Sequence, residues 1–202
     1  MPYYLTGFVN KHTAIDFSMD VTNKLKVVED LENNKVDFAL VSVLPENLAL
    51  EKLPLLKNSL YLVGGSEREK HRKGKKDQIF KEEPLLYRER GSATRNAMEA
   101  FIQGKNFPVS KKIELTSNEA LKQAVIAGLG YSIMPLIGIK NAVNNGDISI
   151  IPFKGLPIHT QWNIVWLKKK KLSAIAEAFI EYLKEEGTII TEKYFDWVKN
   201  DL

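Results

Sequence analysis

The 202-residue chain reads as an α/β protein: a parallel or mixed sheet with helices on both faces. Three observations predict this class. Short apolar runs of strand length alternate with segments whose apolar residues recur at helical spacing, almost from the first residue. Hydroxyl and amide residues stand where helices would begin, and glycines or prolines where elements would stop. The composition, 44% hydrophobic and 27% charged, is that of an ordinary globular chain, and 202 residues suffice to bury a core.

The elements follow in order. Ala14–Asp20 alternates apolar and polar residues, which predicts a half-buried strand. Thr22 or Asn23 then caps a helix with Leu25, Val28 and Leu31 on one face. Val36–Ser42 is the end of a buried strand, stopped by Pro45. Leu53–Leu56 and Leu60–Val63 are two further strands, the second closed by Gly64-Gly65. After a basic loop, Pro84–Tyr87 is a short strand delivering Gly91-Ser92 to a helix with Ala93, Ala97, Ala100 and Phe101 inward and Gly104 at its end.

Lys111–Leu115 is a strand feeding Thr116-Ser117-Asn118, from which a helix places Ala120, Leu121, Ala124 and Val125 inward. Gly128 is its C-cap. Tyr131–Met134 is a strand ended by Pro135, and Ile148–Ile151 is another after the Asn144–Asp147 turn. Gln161–Leu167 is a long aromatic strand, followed by a helix from Ser173 with Ile175, Phe179, Tyr182 and Leu183 inward. Beyond it, the spacing of Ile190, Tyr194, Phe195 and Val198 predicts a final short helix.

Several functions are disfavoured. The absence of cysteine excludes disulfides, thiolate metal sites and cysteine nucleophiles. His12, His71 and His159 stand alone, at no metal-ligand spacing, so no metal and no cofactor is expected. Glu82-Glu83 and Glu185-Glu186 are adjacent pairs that do not face one site and are read as solvated. Gly91-Ser92-Ala93 is not a nucleophile elbow. Gly128-Leu129-Gly130 is half of a dinucleotide fingerprint, but it follows a helix instead of a strand. No catalytic residues are assigned.

The net charge of +4 is concentrated in His71–Lys76 and Lys168–Lys171, both read as solvated. The longest uncharged stretch, Ala124–Ile139, is too short for a bilayer and is broken by glycines and Pro135. No export signal is evident at Met1–Leu5, so a cytoplasmic protein without a membrane partner is expected.

What remains is a set of helix beginnings. Free backbone N–H groups and the positive end of the helix dipole make such ends suited to small anions. In open α/β sheets these ends gather beyond the carboxyl ends of strands. Thr22-Asn23, Gly91-Ser92-Ala93-Thr94 and Ser117-Asn118 all lie at such junctions. Arg95 either faces this pocket or braces its own helix.

Glu89–Arg95, Ser117–Val125 and Ala127–Pro135 together resemble the regulatory domain of LysR-type transcription regulators. Val36–Val41 and Leu172–Leu183 extend the resemblance in order, from Pro2 to about Leu183. It implies a two-lobe fold of the periplasmic-binding-protein type (type 2), each lobe a mixed sheet flanked by helices, joined by two crossover strands. Lobe I would comprise residues 1–65 and 164–202, and lobe II residues 66–163.

Carried over by motif, the effector contacts are Thr22, Asn23, Gly91, Ser92, Thr94, Ser117 and Asn118. The implied function is sensing of a small anionic effector by a homodimeric, non-enzymatic regulator. DNA would be touched only through an N-terminal helix-turn-helix, which the family carries and this sequence does not show. The strand and hydroxyl-rich turn that precede the first helix in the family are also expected to be missing. A solute-binding protein of a transporter is the alternative, and an enzyme on the same fold comes third.

Overall fold

The computed structural model describes residues 1–198. The elements run α1 (Pro2–Lys11), α2 (Lys24–Glu32), β1 (Ala39–Val41), β2 (Leu50–Gly65), α3 (Ser66–His71), α4 (Gln78–Glu82), β3 (Pro84–Arg88) and α5 (Ala93–Gly104). They continue with β4 (Lys111–Leu115), α6 (Asn118–Ile126), β5 (Ser132–Pro135), α7 (Leu136–Asn144), β6 (Ile148–Ile150), β7 (Ile158–Leu167) and α8 (Ala174–Phe195), which ends in a 3-10 turn, Asp196–Val198. The chain divides into two compact units. Unit 1 is Met1–Lys57 with Thr160 onward, and unit 2 is Asn58–His159. Among the described elements, β2 and β7 each have residues in both units.

In unit 1, β1 pairs antiparallel with β7, Leu40 opposite Ile164. Its main core joins α1 to α8 through Tyr4, Leu5, Phe8, Phe179, Ile180 and Leu183. A smaller cluster, Leu31, Val41 and Val165, holds α2 to the sheet. In unit 2, β5 and β6 pair antiparallel with β2, through Leu62↔Ile133 and Gly64↔Ser149. Strands β3 and β4 pair parallel, Arg88 opposite Leu115. Phe80 anchors the unit 2 core: its ring stacks on Phe107 at 4.6 Å and meets Phe153 edge-on at 5.3 Å.

Several elements differ from the sequence reading. Ala14–Asp20 forms no strand. Its alternation has no ladder to join, and Phe17 and Met19 remain exposed. The inner face of α2 is Val27 and Leu31, while Leu25 is 64% exposed. The two strands expected at Leu53–Leu56 and Leu60–Val63 are one, β2, which runs through Pro54. Helices α3, α4 and α7 were not foreseen; the first two are short, and α7 starts at the proline that ends β5.

Met98 and Ile102, not Ala93 and Ala100, are the fully buried side chains of α5. On α8 the buried face includes Ala176 and Ile180, while Ile175 is exposed. Among the described residues there is no separate final α-helix, because α8 continues unbroken to Phe195. Val198, part of that expected helix, has its backbone in the 3-10 turn, and residues 199–202 lie outside the described residues. Glu83 is not simply solvated: its carboxylate pairs with Arg68, whose guanidinium also lies over the Tyr131 ring at 5.5 Å.

Candidate functional site

Parallel pairing places two helix beginnings side by side in unit 2. Because Arg88 and Leu115 are register partners, β3 and β4 finish at the same edge, and each passes directly into a capped helix. Gly91 makes the turn after β3 with φ 87°, a left-handed conformation that side chains other than glycine rarely adopt. Ser92 then caps α5, its hydroxyl accepting from the Arg95 N–H at 3.5 Å. Ser117 caps α6, accepting from the Ala120 N–H at 3.0 Å.

The two ends are also joined directly. The Arg88 guanidinium donates through Nη1 to Asn118 Oδ1, and it holds Glu89 with both Nε (2.8 Å) and Nη2 (3.0 Å). Ser92 is buried, Gly91 and Thr94 are half-buried, and Ser117 and Asn118 are exposed. The serine caps leave other first-turn N–H groups of α5 and α6 without an intrahelical acceptor, as at any helix start. The combined field of two helix N-termini favours an anion at this edge.

Of the seven residues singled out from the sequence, five are thus gathered in unit 2: Gly91, Ser92, Thr94, Ser117 and Asn118. Thr22 and Asn23 belong to unit 1, where Asn23 caps α2 by accepting from the Lys26 N–H at 3.1 Å and Thr22 is exposed just ahead of it.

Arg95 braces its surroundings. It donates to Glu99 (3.0 Å), Glu114 (2.6 Å) and the Arg88 carbonyl (3.0 Å), and the Glu114 bond is foremost in holding its pKa above the ordinary arginine value. Glu99 is its i,i+4 neighbour on α5, whereas Glu114 lies on β4, nineteen residues away. The Arg88 bridge is the main feature that sequence reasoning missed. Beneath the site, burial pushes the Tyr87 phenol up to about 12; Glu99 adds to the shift and Arg95 opposes it.

The α6 exit is equally defined. Gly128 at φ 75° closes a Schellman turn, with the Gly128 and Leu129 N–H groups bonded to the carbonyls of Val125 (3.0 Å) and Ala124 (2.9 Å). Gly130 packs so closely on the Pro84 carbonyl that a Cβ there would overlap backbone.

A two-unit α/β chain with paired, capped helix ends at a strand edge has the architecture of the periplasmic-binding-protein-like effector domains. Residues 1–188 match the LysR substrate binding domain, and the chain belongs to that family. It is 33% identical over 187 residues to the HTH-type transcriptional activator CmpR of Synechocystis, covering 91% of this chain and 60% of that protein. It is 32% identical over 190 residues to a RuBisCO operon transcriptional regulator of Allochromatium vinosum, covering 92% and 62%. The chain thus spans about 60% of the length of these relatives.

Among solved structures, it resembles the Synechocystis CcmR regulatory domain in complex with 2-PG. That match has a TM-score of 0.82 and 30% identity, covering 91% of this chain and 89% of that one. The effector binding domain of QuiR in complex with shikimate shares the fold, with a TM-score of 0.77 and 21% identity. Among the described residues, no helix is long and apolar enough to cross a membrane.

Proposed function

We propose that this chain is the effector-sensing part of a LysR-type transcription regulator, binding a small anion and exerting its effect by population shift rather than by catalysis. The observation that carries this reading is the pairing of the α5 and α6 N-termini by the β3–β4 register. The resemblance to a regulatory domain holding 2-PG supports it. Effector contacts would come from Gly91, Ser92, Thr94, Ser117 and Asn118 in lobe II (66–163), and from Thr22 and Asn23 in lobe I (1–65 and 164–202). The effector would favour one arrangement of the regulator by no more than its difference in affinity for the two states. In this reading the protein works in the cytoplasm as a homodimer, and DNA is contacted by a helix-turn-helix outside this sequence.

The test is thermal unfolding with 2-PG, sulfate and a neutral compound of similar size. At a hundredfold excess over Kd, a binding anion stabilises by about 2.7 kcal/mol and raises Tm by roughly 5–10 °C. Ser117→Trp, at an exposed cap, should remove that shift while lowering the unliganded Tm only by the roughly 2–4 °C that loss of the cap costs. Equal shifts with the neutral compound, or a shift that survives Ser117→Trp, would refute this site.

A further inference from the structure

The family match ends at residue 188, but α8 does not. The helix continues without a break to Phe195; Leu183, Gly187 and Ile190 keep one buried face at helical spacing past the match, and Phe195 is buried at its end. Ile190 and Phe195 belong to the same core cluster as Tyr4, Leu5 and Phe8 of α1.

The contacts concentrate on the first turn of α1. The Tyr3 ring stacks on Tyr194 with centroids 4.6 Å apart and meets Phe195 edge-on at 5.4 Å. The Tyr4 ring stacks on Phe195 at 5.8 Å. The Tyr4 hydroxyl shares a hydrogen bond of 2.7 Å with the Thr191 hydroxyl, which in turn donates to the Gly187 carbonyl at 2.8 Å. Beyond the helix, Trp197 closes back by donating from Nε1 to the Tyr194 carbonyl at 3.0 Å. The outer face is of a different character, with Ile189 58% exposed and Glu192 and Lys193 in solvent. An overhang packed on nothing would not bury Ile190 and Phe195.

We propose that residues 189–198, which lie past the family match, are an intramolecular clasp that locks the first turn of α1 to α8. Because α8 follows β7 within a few residues, the clasp joins the start of the chain to the element that leaves a crossing strand. This inference is independent of which ligand the protein binds.

Hydrogen–deuterium exchange read by mass spectrometry tests it. The variants are Tyr194→Ala/Phe195→Ala in the full chain and a truncation after Thr188, with Ile189→Ala as a surface control. Peptides covering residues 1–11 should exchange about tenfold faster or more in the first two variants, with residues 93–104 of unit 2 and the control unchanged. Protection of residues 1–11 within twofold of the parent chain in the double variant would overturn the clasp. So would an equal acceleration at residues 93–104, which would make the segment a general requirement for folding. If the truncated chain does not fold, the double variant alone decides.

Discussion

The two units begin their capped helices in different ways. In unit 2, α5 and α6 start where two parallel strands finish at one edge, so strand register sets their separation. In unit 1, α2 starts after residues 12–23, which form no ladder, and side chains such as Phe17 and Val21 lie in solvent. Asn23 is as well capped as Ser117, with bonds of 3.1 and 3.0 Å. Good local capping therefore does not distinguish a preorganised site from a single helix end; the strands beneath it do. In a binding site, preorganisation lowers the ordering that a ligand must otherwise impose. On the proposed reading, the preorganised helix ends of unit 2 would make the main anion contacts, and Thr22-Asn23 would need more ordering to take part.

The largest expected difference between the units is alkaline sensitivity. Burial raises the Tyr87 phenol from 10 to about 12 and also raises Tyr131, where a bond to Glu69 adds to the shift. A phenol with a raised folded-state pKa contributes fully below pH 10 and loses its contribution as pH rises through the folded value. Unit 2 should therefore weaken between pH 10 and 12, by up to about 3 kcal/mol for Tyr87 alone. Denaturant unfolding at pH 8, 10 and 11 would show the decline, and Tyr87→Phe should flatten part of it. A stability that stays level across that range would remove the argument.

Next come two glycines with opposite expectations. Gly130→Ala in unit 2 sets a Cβ against the Pro84 carbonyl, beside the Tyr131 N–H to Pro84 bond of 2.9 Å. It should destabilise by about 1–3 kcal/mol. Gly187→Ala in unit 1 sits inside α8, and its added Cβ meets nothing within 4 Å. That variant should stabilise by about 0.5–1 kcal/mol, because glycine is a poor residue for a helix interior. Chemical denaturation of both variants would check the signs; two losses of similar size would contradict the packing described for α8.

The smallest effects should be those of the caps. Ser92→Ala, Ser117→Ala and Asn23→Ala should each lower stability by about 1 kcal/mol. The three would then separate in anion binding: the two serine variants should lose more affinity than Asn23→Ala, measured by titration calorimetry with 2-PG. If Asn23→Ala loses as much, the helix end in unit 1 is as fully part of the site as the pair in unit 2.

Much of this was legible in the chain because the signals are local. Asn23, Ser92, Ser117 and Ser173 each accept from an N–H three residues on, and Gly128 closes α6 within the same turn. Such bonds need no distant partner, so residue type and spacing determined them. The strand–helix alternation and the helix ends at strand junctions belong to the same class. Tertiary structure alone decided whatever needed a partner remote in sequence. The alternating segment Ala14–Asp20 was read as a strand and is none, because a ladder needs a neighbour and pattern alone does not supply one. Leu53–Leu56 and Leu60–Val63 became one strand despite Pro54. Arg88 met Asn118 thirty residues away, and Tyr4 met Thr191 at the opposite end of the chain. In each case the deciding free energy lies in a contact whose two halves are far apart in sequence, where composition and periodicity carry no information about which halves will meet.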